Sequence, residues 1–452
     1  MNLAIVGGGI AGLAAAVKSY QSGVEAITLF EGSDRLGGKI RTSWFLGHLI
    51  EEGPDAFLTR EPYALDLATL VAPDNDFVSP SASAALIGRS HRLYRLPKGL
   101  VLGAPTSAHQ IIQADLLTLT ERANALAHFF LRPHAELSTD NLGLATRRRY
   151  GRAIEDYLVD PLVGGINASS IDHTSMEIVA PAIAKILQSR HQSSLSQPTQ
   201  PARPPFLSVR DGLESLVAAC TGLLIDRGVT VKISTPVKAL EIQNRGWVIR
   251  TSAGDQHFDA VILAAPPAQS SDLLRNLAAP AAELLRGIPT SSVAIITVGL
   301  ARPPVRIESD TSGILSPAPE KRFITAVSFA HNKWPHWCDP GTGLLRISVG
   351  RRFDLRHTQL SDDALVARVI DEASGLLNEK LDPTETRVTR WPSSFPQFLP
   401  HHRKRIELLQ ETVTSLPPLA FAGAYVGGSG IPTCIKSAHR AVDRIIRTTS
   451  DT

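Results

Sequence analysis

The hydrophobic pattern changes period at its very start. Residues 3–6 are continuously apolar, glycines crowd positions 7–12, residues 13–22 are Ala-rich, and residues 26–30 return to a β-type run ending at Glu31. Short apolar runs on either side of a small-residue stretch predict strand, tight turn, helix, strand. Further on, residues 229–233, 235–242, 246–250 and 258–266 form four β-type runs. Their breaks at Ser234, Asn244 and Gly254 suit short turns, which predicts a meander crossing a parallel sheet. In residues 106–187, Ile111, Ile112, Leu116, Leu119, Ala123, Leu126 and Phe130 recur at helical spacing. Residues 290–390 alternate β-type runs with an amphipathic helix near residues 362–377, an α+β pattern. Near the C-terminus, residues 419–423 read as a strand, 427–430 as a loop and 434–446 as a helix. Between these units lies a Ser-, Gln- and Pro-rich strip at 188–205, expected to be flexible.

The opening turn carries the first chemical signal. Gly7-Gly8-Gly9-Ile10-Ala11-Gly12 is a G-x-G-x-x-G fingerprint between a predicted strand and a predicted helix, and Glu31 closes the second strand. Gly7 permits the tight turn, Gly9 lets backbone approach a pyrophosphate, and Gly12 lets helix and strand pack closely. The helix N-terminus offers free N–H groups to phosphates. Glu31 would accept hydrogen bonds from ribose hydroxyls, and its charge would repel a 2′-phosphate. Gly427–Gly430 is a second glycine turn that feeds a helix N-terminus, suited to a developing negative charge. N- and C-terminal segments thus build one site.

Composition removes several alternatives. The chain has 452 residues and a net charge of +3, too mild a basic excess for a nucleic-acid-binding protein. Cys220, Cys338 and Cys434 are too dispersed for a disulfide framework or a zinc pair, which fits a reduced, cytoplasmic setting, and no metal cluster stands out. No uninterrupted apolar run approaches the ~18 residues of a spanning helix. A peripheral membrane contact stays open.

Beyond the fingerprint, Gly32, Arg35-Leu36-Gly37-Gly38-Lys39 and Glu51-Glu52-Gly53-Pro54-Asp55-Ala56 resemble the extended motif of amine-oxidase-like flavoproteins, where chain passes over the flavin side of FAD. More specific segments follow: Leu96-Pro97-Lys98-Gly99, Arg148-Arg149-Tyr150-Gly151, Asp160–Ala168, Phe206-Leu207-Ser208, Asp211-Gly212-Leu213, Trp391 with Pro396-Gln397-Phe398 and His401, and Gly430–Ile435. Almost end to end, the chain resembles the protoporphyrinogen/coproporphyrinogen oxidase family. Asp211, Pro400 and Ser437 stand where the family usually has glycine.

The resemblance implies an α/β fold. A Rossmann-like, glutathione-reductase-like FAD domain is expected from residues 1–80, 208–270 and 416–452, an α+β substrate domain from 81–103 and 271–415, and a helical subdomain from 104–207. It implies non-covalent FAD held by the fingerprint, by Glu31, Gly32, Lys39 and Gly53–Ala56, by Val237 beside adenine, by Trp391 at the isoalloxazine, and by Ser429, Gly430 and Ile431. It also implies a porphyrinogen substrate oxidised to a porphyrin in heme biosynthesis, with O2 as acceptor and H2O2 as product. Flavin N5 takes the hydride, so no side-chain catalyst is assigned. Coproporphyrinogen III, with four propionates, is favoured over protoporphyrinogen IX. Arg92, Arg95 and Lys98 are the candidate propionate partners, Lys98 foremost because it lies inside the motif. His401, His402 and His439 read as polar or packing residues. An amine oxidase, a carotenoid desaturase and a non-catalytic carrier on the same fold are the competing readings. A homodimer and hand-over of product to a downstream heme-pathway enzyme stay open as well.

Overall fold

The computed structural model describes residues 1–131, 139–188 and 203–450, so residues 189–202 of the polar strip lie outside the described residues. The sheet that opens the chain is wholly parallel. Its order is Thr230–Lys232, Ala26–Phe30, Asn2–Val6, Ala260–Leu263, Leu419–Phe421. Both faces are covered, which is why its strands are continuously apolar. On one face the helix Ile10–Gln21 is buried along most of its length, packed between the helices Ile431–Ser450 and Glu214–Asp226. Ala14, Ala15 and Ala16 are fully buried there. Larger side chains would hold three helices apart, so the Ala-rich composition follows from the packing.

The expected four-run meander resolves differently. Its first and last runs are strands of the parallel sheet. The antiparallel unit is Ala239–Gln243, Gly246–Thr251 and Gly254–Phe258, and the third strand was hidden in the polar sequence GDQHF. That strand shows four of its five residues to solvent or near it, so it carries no hydrophobic alternation to read. Asn244 and Arg245 both take positive φ in the turn before Gly246, the two-residue geometry that matches strand twist. Both glycine-turn helices also begin earlier than residues 13 and 434, at Ile10 and Ile431.

A second sheet has seven strands in the order Pro383–Pro396, Thr290–Leu300, Gly343–Val349, Ile324–Phe329, Thr311–Leu315, Ala84–Arg89, Arg92–Arg95. Alternate residues such as Ala294, Ile296, Val298, Leu345 and Ile347 bury one face against the helix Asp362–Leu377. Residues 84–95 therefore share a sheet with residues 290–396, far away in sequence. The helical unit from Ala108 to Gln188 packs over the Ala84–Arg89 end of the sheet through Ile87, Tyr94 and Leu315. Within it Glu155–Gly164 is a wide π-helix with Pro161 inside. Proline has no N–H to give a regular turn, and the N–H of Gly165 instead reaches the carbonyl of Asp160.

The tightest helix–strand contact gives a stability test. A Cβ on Gly12 would lie 1.8 Å from the carbonyl oxygen of Gly7, whereas one on Gly222, exposed in the helix Glu214–Asp226, would meet nothing within 4 Å. Gly12→Ala should lower stability by about 3 kcal/mol or more through overpacking. Gly222→Ala should raise it by about 0.5–1 kcal/mol through helix propensity. Denaturant melts of both variants against the wild type check the opposite signs.

Candidate functional site

The glycine turn is shaped for a phosphate. Gly7 sits at φ +112°, and a Cβ there would strike the Ala264 backbone at 2.8 Å. A Cβ on Gly9 would meet nothing within 4 Å, so the space in front of the turn is open. Gly9 is the N-cap of the helix and no side chain caps it. The first-turn N–H groups of Ile10, Ala11 and Gly12 are thus left for an anion. Glu31 stands beside the turn: Oε2 accepts from Gly8 N–H at 2.6 Å, and Oε1 accepts from the N–H and hydroxyl of Ser33, both at 2.8 Å. Gly32 follows, packed near Pro236. Val237 is half-buried on the edge of the neighbouring core.

A second wall is built where the two sheets meet. Residues 51–56 form a turn with no slack, because a Cβ on Gly53 would lie 2.1 Å from the Lys39 carbonyl oxygen. Trp391 donates through Nε1 to the Glu52 carbonyl at 3.1 Å, and its ring edge lies 3.6 Å from that same Cβ position. Arg346 donates to the Gly53 carbonyl at 2.7 Å. Pro54 leads into Asp55, whose carboxylate receives Lys333 at 2.7 Å, the indole N–H of Trp334 at 3.2 Å and Arg346 at 3.4 Å. Burial alone would raise the Asp55 pKa, but Lys333 and Arg346 outweigh it and hold the carboxyl down to about 2. Ala56 packs against the small core of Phe45, Ile50 and Trp334.

Between these walls runs a cleft. Lys39 lines it, open to the cleft yet ringed closely enough by protein for desolvation to push its pKa down. At the other end the second glycine turn arrives, with Gly428 at φ +140°, then Ser429, Gly430 and Ile431 at the start of the C-terminal helix. The Ser429 hydroxyl is buried and has no partner. An open phosphate cradle, the uncapped start of the helix Ile10–Gln21 and an orphan hydroxyl together fit a dinucleotide running from Glu31 to Ser429. The cleft face of the seven-stranded sheet carries the row Thr389, Ile295, Ser348, Ala326, Leu315, Ile87, Tyr94. Ser348, Ala326 and the neighbouring Ser328 are small and only half-buried, so the middle of the sheet is a shallow floor. A Cβ on Gly165 would lie 4.0 Å from Leu315, in the same row, and the following Ile166 is exposed.

Residues 10–446 match the family described as flavin containing amine oxidoreductase. The chain is 31% identical over 460 residues to coproporphyrinogen III oxidase of Bacillus subtilis (strain 168), covering 98% of this chain and 97% of that protein. It is 32% identical over 454 residues to coproporphyrinogen III oxidase of Mycobacterium tuberculosis (strain H37Rv), covering 98% and 96%. A crystal structure of a candidate protoporphyrinogen oxidase from Exiguobacterium sp. 255-15 superposes with a TM-score of 0.88 at 29% identity, over 99% of each chain. The chain belongs to the flavin-containing amine oxidoreductases, in their porphyrinogen oxidase branch.

As in that family, the cofactor is FAD. Lys98, Arg95 and Arg92 are the expected propionate partners. Arg92–Arg95 is the edge strand farthest from Trp391, six strand spacings of about 4.8 Å each. Arg95 is taken by Glu308 at 2.7 Å and Asp310 at 2.5 Å. Arg92 and Lys98 are exposed, and Lys98 contributes its carbonyl to Gln110. Arg92 and Arg95 thus lie on the opposite edge of the sheet from Trp391. The histidines are structural: His402 is buried on the Tyr425 carbonyl at 2.6 Å, His401 gives its backbone N–H to Asp140, and His439 meets the Tyr63 ring edge-on. Sequence reasoning passed over Arg346 and Lys333. A single arginine inside the apolar strand GLLRISV was the available signal.

Among the described residues no group of His, Cys, Asp and Glu could hold a metal ion, and no helix is long and apolar enough to cross a membrane.

Two outcomes follow from this geometry. Glu31→Arg should cut FAD retention after dialysis at least tenfold, since hydrogen bonds to a charged acceptor contribute about 1.5–3 kcal/mol each. Glu31→Gln, which still accepts from Gly8, should lose less. Flavin absorbance per mole of protein reads both. The second concerns Glu51, which accepts from Leu213 N–H at 2.6 Å and the Thr42 hydroxyl at 3.0 Å. Burial pushes its carboxyl from 4.5 up to about 7, against those two donors. An acid whose folded pKa lies above its unfolded one is destabilising once pH rises between the two values. The stability of Glu51→Gln relative to wild type should therefore increase from pH 5 to pH 8, by about 3 kcal/mol at most. Melting both proteins across that range, with FAD saturating, tests the sign.

Proposed function

We propose that the chain oxidises coproporphyrinogen III to coproporphyrin III, with O2 as the final acceptor and H2O2 as product. Full-length likeness to coproporphyrinogen III oxidases carries this reading, and the shallow floor of the cleft supports it. From Ile295 to Leu315 the floor spans three strand steps, roughly 14 Å, a width suited to a tetrapyrrole macrocycle rather than to one amine arm. Bound FAD would supply the two-electron acceptor for each oxidation.

The protein's part is to place and enclose. Residues 1–80, 208–270 and 416–450 hold FAD, residues 81–103 and 271–415 supply the floor, and the described helices between residues 108 and 188 roof it. Arg346 and Trp391 fix the Glu52–Gly53 turn so that the flavin-side wall does not yield when a large ring enters. The small side chains of Ser348, Ala326 and Ser328 let the macrocycle lie close to the sheet, and Ile166 covers its outer edge and keeps water away. The start of the helix Ile431–Ser450 follows the second glycine turn, where its positive end stabilises negative charge.

Steady-state assays with coproporphyrinogen III and protoporphyrinogen IX, following porphyrin fluorescence and H2O2, test this. The expected result is a higher kcat/KM for coproporphyrinogen III, with one H2O2 per electron pair removed. A preference for protoporphyrinogen IX would overturn the substrate assignment, and porphyrin formation without H2O2 would overturn the acceptor.

A further inference from the structure

At one end of the seven-stranded sheet, the turns after Gly343–Val349 and after Thr311–Leu315 enclose a cavity of about 380 Å³ together with Ser169 and Ser170. Cations outnumber anions around it. Arg351 pairs with Asp160 at 3.4 Å, Arg356 with Asp354 at 2.6 Å, and Arg322 with Glu320 at 3.4 Å. Lys321 and Arg352 line the same cavity, and among the described residues no carboxylate pairs with either. Two donors are also left over. Nη1 of Arg352 and the hydroxyl of Ser316 are shut away from solvent without a hydrogen-bond partner, and Ser316 is only 2% exposed. Buried donors in folded proteins are nearly always satisfied, so this pair is short of acceptor oxygens. Burial with no compensating anion also lowers the Arg352 pKa, a shift that an incoming anion would oppose.

We infer that this cavity is a carboxylate-binding site, in which Lys321 and Arg352 supply the charge and Ser316 a hydrogen bond. The volume admits an arm and not a macrocycle. At its lip Phe353 is 69% exposed, lies 4.8 Å from the Arg352 guanidinium and meets His173 edge-on at 5.4 Å, which suits an apolar ring bearing the arm. The cavity is tied by hydrogen bonds to the strand Thr290–Leu300 and to the end of the strand Pro383–Pro396. Ser169 follows Ala168, whose carbonyl accepts from the Arg352 N–H and the Ser291 hydroxyl, both at 3.0 Å. The Asn167 carbonyl before it accepts from Gln397 at 3.2 Å. That the arm is a propionate of a tetrapyrrole entering or leaving the cleft rests on the porphyrinogen reading. Free di- and tricarboxylates or phosphate offer the same chemistry.

The test uses full-length, FAD-loaded protein and the double variant Lys321→Ala/Arg352→Gln, with Arg352→Lys as the conservative control. Coproporphyrin III and protoporphyrin IX are titrated by fluorescence quenching, and citrate and phosphate by shift of the melting temperature. Coproporphyrin III affinity should fall about tenfold in the double variant, more than that of protoporphyrin IX, and the difference should shrink at high salt. KM for coproporphyrinogen III should rise with kcat nearly unchanged, and Arg352→Lys should retain most of the affinity. If porphyrin affinity holds within twofold while citrate or phosphate stabilises only the wild type, the site stands and its occupant is a free anion. If neither response differs between wild type and double variant, the site is refuted. Wild-type oxidation of coproporphyrinogen III is measured alongside. Its failure with anion binding intact would sink the porphyrinogen reading and leave the site.

Discussion

The guanidinium of Arg346 reaches the Gly53 carbonyl at 2.7 Å and the Asp55 carboxylate at 3.4 Å, and through these contacts the seven-stranded sheet decides where the cofactor-side turn lies. The turn cannot relax in the opposite direction, because the Lys39 carbonyl occupies the space that a Gly53 side chain would need. Trp391, on another strand of the same sheet, holds the preceding carbonyl. A cleft between two sheets is only as rigid as the parts that cross it, and here Glu52, Gly53 and Asp55 are each fastened from the far side. Because Lys333 and Arg346 hold the Asp55 carboxyl down to about 2, it is ionised throughout the neutral range. Pairs of this kind add little net stability, since desolvation offsets attraction. Their effect lies in geometry: removing one partner would leave a buried charge alone.

Charge elsewhere in the cleft is placed with the opposite logic. Lys39 has a neighbouring aromatic ring, Phe395, at 5.9 Å, among the described residues no carboxylate pairs with it, and desolvation pushes its pKa down. The two helix starts, at Ile10 and Ile431, add partial positive charge without any side chain. An anionic cofactor entering such a cleft finds cations that have not already been neutralised. Glu31 is the exception, and both its oxygens already accept backbone or hydroxyl hydrogens on the protein side. Its orientation is therefore fixed before any ribose arrives.

What could be read in advance was local. The glycine turn, Glu31 and the Ala-rich helix declare themselves because each fulfils its steric requirement within a few residues, and Asp362–Leu377 did so by amphipathic period alone. The strand Gly254–Phe258 stayed hidden because its polar, exposed residues carry no period. For Arg92 and Arg95 the sequence shows less. Their charge is visible in sequence, but the order of strands that sets them at the far edge is decided by pairing between residues 84–95 and 311–315. Arg346 and Lys333 were illegible for the same cause, since their partners on the 53–55 turn are nearly three hundred residues away.

The two faces of the seven-stranded sheet show how one fold can admit a large substrate without losing its core. On the helix-covered face Ile296, Val298, Leu345, Ile347, Val327 and Phe329 are large and fully packed, and they supply the apolar burial that keeps the sheet together. That burial frees the opposite face from the same duty. Ser348, Ala326 and Ser328 can be small there without leaving a void in the core, because what they leave is the cleft itself. Larger residues return where the helical unit closes down, at Leu315, Ile87 and Tyr94. Side-chain size along one row thus tracks what lies above it, floor in the middle and packing at the edge. Enlarging Ser348 or Ala326 should leave the core contacts intact while filling the space a ring would occupy, so specificity and stability in this sheet are set by different faces of the same strands.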